Sequence, residues 1–379
     1  MARPKKVEEV VGVADPLAEK IKEEIDKPVV IEEEFSIDKL IPTGIILLDL
    51  ASSGTKRGGL GMGKINTIPG SSSSGKSFLS LHIMATVANT EKFNDYEIIY
   101  DDAEHSCEFN FQKLFKEKFS SRVRAPKTDK NGIPIYSRTI QEFKNNILAM
   151  ANKRTPFIWT LDSLDALSTD EEIEKEYKEA IKAAKSDEHI KELKGSYNTE
   201  KAKIIGQVLR IIAGEIEKSN SCINIVQQVR QKLNAGPFEK KDITSGGNAP
   251  FFYSTHQYWV TKTKTHKDLK YNWDIDQRTK VNVTKNKLTG NKREIEFDIF
   301  NTSGIDDVGA TIEFLVKYGF WNKTGNTVDA KELEIQGTVN KLREYIIQNK
   351  MVNELADVAE YAWNEIEKTI ETGFLSRFE

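Results

Sequence analysis

Cysteine and histidine are scarce in this chain. Its 379 residues include two cysteines, Cys107 and Cys222, and five histidines, and neither type recurs at metal-ligand spacing. The pattern therefore gives no indication of a zinc site. So few cysteines in a chain of this length are typical of a reducing compartment, and we expect an intracellular, cytoplasmic protein.

Long hydrophobic runs and an excess of basic charge are also missing. No stretch approaches the roughly 20 apolar residues of a membrane span, and residues 1–6 are not followed by the apolar segment of a signal peptide. We therefore expect no membrane partner. The formal net charge is −3, so any contact with nucleic acid has to come from local basic patches rather than from an overall basic field.

The order of apolar segments predicts three parts. Residues 1–35 form an N-terminal arm, for which we predict a role in oligomerisation. Residues 36–302 alternate strand-like runs with helical segments, which predicts an α/β core with a mostly parallel central sheet flanked by helices. Residues 303–379 are patterned mainly as helices and are predicted to form a small C-terminal domain. The clearest strand-like runs are 96–100, 157–161 and 222–226.

Residues 70–77, Gly-Ser-Ser-Ser-Ser-Gly-Lys-Ser, match the phosphate-binding loop G-x-x-x-x-G-K-[ST]. Residues 64–69 before them alternate like a strand, and residues 78–88 are apolar at helical spacing, which is the context that the motif needs. Backbone N–H groups and the helix N-terminus of such a loop bind phosphate. We therefore predict an ATP and Mg²⁺ site formed by Gly70, Ser71, Ser72, Ser73, Ser74, Gly75, Lys76 and Ser77, with Lys76 on the outer phosphates and Ser77 on the metal.

Acidic residues close two of the predicted strands. Asp162 follows the run 157–161 and is predicted to serve Mg²⁺ together with Ser77. A second carboxylate has to activate the attacking water. The run that begins at residue 97 offers Asp101, Asp102 and Glu104, and periodicity does not choose between them.

Several motifs, in order along residues 41 to about 300, resemble those of the RecA-type recombinases. Residues 102–105 match D-A-E-H, and residues 226–230 resemble the N-Q-I-R element with its preceding residue. Residues 246–253 match G-G-N-A-x-x-F-Y, and residues 283–287 contain K-N-K. Residues 303–306, Ser-Gly-Ile-Asp, also resemble a segment of the phage recombinase UvsX. The resemblance implies a RecA-type ATPase core with two DNA-binding loops.

The resemblance assigns roles at the nucleotide. It implies that Glu104 is the catalytic base, that Gln228 senses the terminal phosphate, and that Phe111 lies over the adenine. It also implies that Lys285 and Lys287 act in catalysis by reaching the nucleotide of a neighbouring subunit, with Phe252 at the same interface. Each role has a structural alternative. Gln228 could pair with backbone, and Phe111 could be buried by an amphipathic helix. Lys285 and Lys287 could be solvated lysines on a strand.

The resemblance also implies two segments that contact DNA. Basic side chains bind phosphate, and an aromatic can stack on a base, although a surface loop would have a similar composition. The first segment contributes Ser196, Asn198, Thr199, Lys203 and Arg210. The second contributes Arg230, Lys232, Phe238, Lys240, Lys241, Gly246, Gly247 and Asn248.

The function implied is ATP-dependent homologous recombination. Such a protein forms a helical homo-oligomer on single-stranded DNA, pairs it with a homologous duplex and hydrolyses ATP when DNA stimulates it. Single-strand-binding and loader proteins are the further partners implied. A ring-forming, DnaB-like helicase is the alternative, and a regulatory module of the KaiC sort is a third. The chain departs from RecA at Gln227, where the family has asparagine, and at the charged run 170–194, which predicts an inserted helix or hairpin.

Overall fold

Alternating strands and helices build a ten-stranded central sheet. The computed structural model describes residues 36–185, 197–231, 242–268 and 270–370. Five strands form the parallel half of the sheet, and their apolar side chains are buried because helices cover both faces. In spatial order they are β3 (Lys64–Gly70), β9 (Cys222–Gln231), β8 (Phe157–Asp162), β4 (Glu97–Asp102) and β5 (Val123–Arg124). The predicted mostly parallel α/β sheet is confirmed.

An antiparallel wing extends the sheet on the other side of β3. β11 (His256–Lys267) pairs with β3 in parallel, and β12 (Asp274–Asn286), β13 (Glu294–Phe300) and β14 (Gly304–Ile305) follow in antiparallel order. β10 (Asp242–Thr244) pairs antiparallel with the end of β9. Two short pairs complete the strands before residue 300, β1 (Leu40–Ile41) with β2 (Leu60–Gly61) and β6 (Lys127–Thr128) with β7 (Pro134–Ile135).

Helices form a layer on each face of the sheet. Successive side chains of each strand point to opposite faces, so every central strand contacts both layers. Ile98 and Ile158 face one hydrophobic cluster, whereas their neighbours Ile99 and Trp159 face the other. The helices are α1 (Ile46–Ser53), α2 (Lys76–Asn89), α3 (Phe111–Ser120), α4 (Ile140–Ala151), α5 (Asp170–Lys185), α6 (Tyr197–Lys218), α7 (Ala249–Tyr253), α8 (Asp307–Lys317), α9 (Val339–Gln348) and α10 (Val352–Ile370). Helices α1 and α2 pack in the first cluster, and α4 and α6 pack in the second.

The residues after 303 combine the three predicted helices, α8 to α10, with a small antiparallel sheet. Its strands are β15 (Asn322–Thr324), β16 (Thr327–Ala330) and β17 (Ile335–Gly337). Each strand has only three or four residues, too few for a period of two to stand out in the sequence. This part packs on the core, since the Ile46 N–H donates to Asp307 Oδ1 at 2.7 Å.

The described residues from Ile37 onward belong to one compact unit. The arm at 1–35 lies outside the described residues, and the boundary at 302/303 stays a prediction. The described residues include no helix that is both long enough and apolar enough to cross a membrane. The charged run 170–194 begins as the helix α5, and residues 186–194 of it lie outside the described part.

Candidate nucleotide site and adjoining DNA segments

The predicted phosphate loop connects β3 to α2 in the middle of the sheet. Gly75 has a φ of +100°, and a Cβ there would lie 2.7 Å from Ile299 Cδ1. A Cβ on Gly70 would lie 2.4 Å from the Val260 carbonyl oxygen. Both positions therefore require glycine. The loop ends at Lys76, the first residue of α2, so the helix N-terminus supplies the partial positive charge that favours phosphate.

The Lys76 side chain is buried beside the loop. Its Nζ donates to the Ser71 carbonyl at 2.7 Å. Burial lowers the pKa of Lys76, and the nearby carboxylates of Asp162, Glu104 and Asp165 act in the opposite direction. The amine thus lies between the loop and a group of acids, which is the position needed for a cation that contacts phosphate.

Asp162 ends β8 next to the loop. Burial raises the pKa of its carboxyl group, whereas hydrogen bonds from the Ser77 and Tyr100 hydroxyls lower it. A hydroxyl and a carboxylate are hard oxygen donors, so Ser77 and Asp162 fit Mg²⁺. Within the described ranges no group of three or more His, Cys, Asp or Glu side chains could hold a metal ion. Two protein ligands suit a Mg²⁺ ion whose remaining ligands are phosphate oxygens and water.

The structure separates the three acids at the end of β4. Asp101 is buried on the far face of the sheet, where its two oxygens accept bonds from the Ser137 N–H at 2.8 Å and the Ser137 hydroxyl at 2.7 Å. Burial raises the pKa of Asp101 to about 6. Asp102 accepts from the backbone N–H groups of Ser106 and Cys107 at 3.3 and 3.1 Å. The hydrogen bonds of Asp101 and Asp102 therefore stabilise the loops next to β4.

Glu104 has different neighbours. Its Oε1 accepts a hydrogen bond from Gln228 Nε2 at 2.9 Å and another from the Ser163 hydroxyl. Its own N–H donates to the Asp162 carbonyl at 3.2 Å. Glu104 therefore lies beside the predicted metal ligand and the predicted sensor glutamine, at the edge where the parallel strands end.

A cavity of about 440 Å³ adjoins the loop, large enough for a ligand of nucleotide size. It is lined by Phe109 and Leu114, by residues 73–78 of the loop and α2, and by Gln277 and residues 299–301 of the antiparallel wing. Phe111 does not line it. The Phe111 ring instead meets Tyr100 and Phe119 at centroid distances of 6.3 and 5.4 Å. The adenine role of Phe111 stays a prediction, and no sequence pattern singled out Phe109.

Strand β9 connects the Glu104 side of the predicted nucleotide site to the second predicted DNA segment. Successive glutamines point to opposite faces of the strand. Gln228 bonds to Glu104, and its N–H donates to Asp165 Oδ2 at 2.7 Å. Gln227 is buried, and its Nε2 donates to the Ser245 carbonyl at 2.8 Å. The longer side chain at position 227 thus contacts the segment that precedes the Gly-Gly turn.

The Gly246–Gly247 turn packs on helix α6, so the two predicted DNA segments are neighbours. Gly246 and Gly247 have φ values of +80° and +65°, which favour glycine. A Cβ on Gly246 would lie 3.1 Å from Ile205 Cδ1, and one on Gly247 would lie 3.2 Å from the Ala202 Cβ. Close packing of the turn on α6 therefore brings the second predicted segment next to the helix that carries most of the first.

The predicted DNA residues have several outcomes. Lys203 and Arg210 are exposed and lie seven residues apart on α6, and Arg230, Gly247 and Asn248 are also exposed. Asn198 and Thr199 lie in the first turn of α6. Ser196, Lys232, Phe238, Lys240 and Lys241 lie outside the described residues.

The three predicted interface residues form one patch. Phe252 is 63% exposed, and its carbonyl accepts from Lys285 Nζ at 3.1 Å and from Lys287 Nζ at 3.3 Å. Lys285 Nζ also lies 4.7 Å from the centroid of the Phe251 ring. Burial, helped by the charge of Lys287, lowers the pKa of Lys285 to about 8. Both lysine amines therefore bond to the end of α7, and the Lys287 side chain is exposed.

The sequence of this chain is similar to those of several known proteins. The family model of the RecA N-terminal domain matches residues 20–306. Protein RecA of Geobacter sulfurreducens is 32% identical over 287 residues, which cover 75% of this chain and 74% of the relative. Protein RecA of Mycolicibacterium vanbaalenii is 32% identical over 335 residues, 87% of this chain and 81% of the relative. Protein RecA of Geobacter metallireducens is 31% identical over 286 residues, 75% of this chain and 74% of the relative.

Proposed function

The chain belongs to the RecA family of recombinases, which are DNA-dependent ATPases, and on this premise we propose which of its residues perform each step. The proposed activity is assembly on single-stranded DNA, homologous pairing and strand exchange with a duplex, and ATP hydrolysis that DNA stimulates. The DnaB-like helicase gains no support, since the curated relatives described above are all named RecA.

Glu104 is the proposed general base of ATP hydrolysis. The water oxygen forms a bond to the terminal phosphorus, the bond from that phosphorus to the bridging oxygen breaks, and Glu104 accepts the proton of the water. Lys76 and the loop N–H groups bind the phosphates, and Ser77 and Asp162 hold Mg²⁺. Bound Mg²⁺ neutralises phosphate charge. Gln228 and Ser163 orient the Glu104 carboxylate through their hydrogen bonds.

The proposed DNA surface combines α6 with the segment between β9 and α7. Lys203, Arg210 and Arg230 supply positive charge for phosphates, and the Gly246–Gly247 turn supplies backbone N–H groups that can approach them. Phe238 is the proposed stacking residue, and Ser196, Asn198, Thr199, Lys232, Lys240, Lys241 and Asn248 are further proposed contacts.

One observation carries the link between DNA binding and hydrolysis. Gln228 bonds to the proposed base, while the adjacent Gln227 bonds to Ser245 at the entrance of the Gly-Gly turn. A shift of β9 caused by DNA would therefore move a side chain that contacts Glu104. Because the two contacts share one strand, we propose that DNA stimulates hydrolysis by repositioning Gln228.

The neighbouring subunit completes the site in this proposal. Lys285 and Lys287 contact the nucleotide of the next subunit, and Phe252 packs in the same interface. A head-to-tail contact of this kind generates an open helix when the rotation does not close. Single-strand-binding and loader proteins are proposed as further partners.

Electron microscopy tests the assembly. The full chain is mixed with single-stranded DNA and a non-hydrolysable ATP analogue, and we expect open helical filaments. The same mixture without the nucleotide analogue should form few or none. Closed rings that form without DNA would overturn the filament proposal in favour of the helicase alternative.

A further inference from the structure

We propose that Tyr100 is a positioning residue of the metal site, because its hydroxyl holds the Asp162 carboxylate in the orientation that receives Mg²⁺. The inference rests on the proposed metal role of Asp162. In this proposal Tyr100 contacts the metal ligand Asp162 and does not itself contact the nucleotide.

The sheet register brings the two side chains together. Strands β4 and β8 are parallel neighbours, with Tyr100 beside Thr160 and Asp102 beside Asp162. Tyr100 and Asp102 are two residues apart, so Tyr100 and Asp162 share the face of the sheet that carries the phosphate loop. A long phenol side chain spans the diagonal, and the Tyr100 hydroxyl donates to Asp162 Oδ2 at 2.7 Å.

The pair is buried and its geometry is restricted. Tyr100 is 4% exposed and Asp162 is 5% exposed. The Phe111 ring meets the Tyr100 ring edge to face, with the planes 87° apart. A buried tyrosine hydroxyl needs a hydrogen-bond partner, and a carboxylate is a strong one. The packing of the ring therefore fixes where the hydroxyl, and with it Oδ2, lies.

The consequence for the metal is orientation. Tyr100 and Ser77 both bond to the Asp162 carboxylate, Tyr100 from the sheet and Ser77 from the loop. Tyr100 thereby ties one oxygen to the sheet and prevents the carboxylate from rotating away from Ser77. Partners that hydrogen-bond to a metal ligand typically contribute about 10–100-fold to metal affinity or activity.

The test uses Tyr100→Phe, which keeps the ring and removes the hydroxyl. Binding of a fluorescent, non-hydrolysable ATP analogue is titrated with Mg²⁺, and the Mg²⁺ concentration for half-maximal binding is compared with the wild type. We expect it to rise about tenfold, the lower end of that range, because the nucleotide phosphates supply part of the metal site. The matched control is Tyr96→Phe, which removes the buried hydroxyl that donates to the Asn220 carbonyl at 2.8 Å, away from the loop.

Two further arms distinguish the outcomes. Without divalent cation, the Tyr100→Phe protein and the wild type should bind the analogue equally, whereas a loss in this arm as large as the loss with Mg²⁺ would indicate a structural role and overturn the inference. Asp162→Asn tests the premise. If Asp162→Asn raises the Mg²⁺ requirement and Tyr100→Phe does not, the inference about Tyr100 is wrong. If neither variant changes the requirement, the proposed metal role of Asp162 fails first.

Discussion

At the residue scale, the chemistry depends on which carboxylate faces the phosphate loop. Three acids within four positions have similar side chains but different neighbours. Asp101 bonds to Ser137, Asp102 caps two backbone N–H groups, and Glu104 bonds to Gln228 and Ser163. Glu104, whose carboxylate accepts from side-chain donors beside the proposed metal ligand Asp162, is therefore the proposed base.

Replacing Glu104 with Gln should abolish most of the ATP turnover. The amide has the size of the carboxylate but cannot accept the proton, and a general base typically contributes about 10²–10⁴-fold. Steady-state hydrolysis with saturating single-stranded DNA measures the effect, while binding of nucleotide and DNA should be nearly unchanged.

The matched control is Glu97→Gln at the opposite end of β4, where Glu97 pairs with Arg124. This variant should hydrolyse ATP like the wild type. Unchanged turnover in Glu104→Gln would remove Glu104 from the mechanism.

The phosphate loop could be predicted from sequence because its glycines, lysine and serine are required by the conformation and chemistry of the loop itself and not by distant parts of the chain. Periodicity could not choose among the three acids, because Ser137 and Gln228 approach them from distant parts of the chain, and only the resemblance pointed to Glu104. The resemblance implies a base contact for Phe111, and this stays a prediction. In the structure the Phe111 ring packs against Tyr100 and Phe119, while Phe109 lines the cavity.

At the element scale, regular strands were predictable and short ones were not. The runs 96–100, 157–161 and 222–226 correspond to β4, β8 and β9 because buried parallel strands are continuously apolar. The order of those strands depends on pairing between distant segments. The sequence did not predict β15 to β17, because strands of three or four residues are too short to show the two-residue alternation of a strand.

The contact between α1 and α8 should make stability depend on pH. Burial raises the pKa of Asp307 to about 7, with the charge of Asp306 adding to the rise. An aspartate in the unfolded chain titrates near 3.9. Between about pH 4 and 7 the folded state therefore keeps a proton that the unfolded state has released, and stability falls as pH rises.

Asp307→Asn should remove this part of the pH dependence. The amide oxygen can still accept from the Ile46 N–H but does not titrate. The free energy of unfolding of the variant, relative to the wild type, should increase from pH 4 to 7 by up to about 1.4 kcal/mol per pH unit. Urea unfolding at each pH measures it. Asp329→Asn, at an exposed position of β16, is the control and should show no such trend. Parallel curves for Asp307→Asn and the wild type would contradict the prediction.

At the scale of the whole molecule, the ATP site and the lysine patch belong to different parts of the sheet. The loop follows β3, whereas Lys285 and Lys287 lie at the end of β12 and bond to the Phe252 carbonyl. The Phe252 ring is exposed beside two lysines whose amines bond to its carbonyl, and such a surface suits contact with a second subunit. The proposal that they complete a neighbour's site can be tested by mixing defective proteins.

The double variant Lys285→Ala with Lys287→Ala should lose DNA-stimulated hydrolysis while remaining folded, and Lys76→Ala should lose it for a different reason. In an equal random mixture, about a quarter of the head-to-tail interfaces join an intact phosphate loop to intact lysines. Activity should therefore return to roughly that fraction of the wild type. Lys323→Ala, on the exposed strand β15, is the control for loss of a surface lysine and should be active alone. If no mixture regains activity, Lys285 and Lys287 act within their own subunit or only support the end of α7, because a shared site has to be restored by a partner that supplies its missing half.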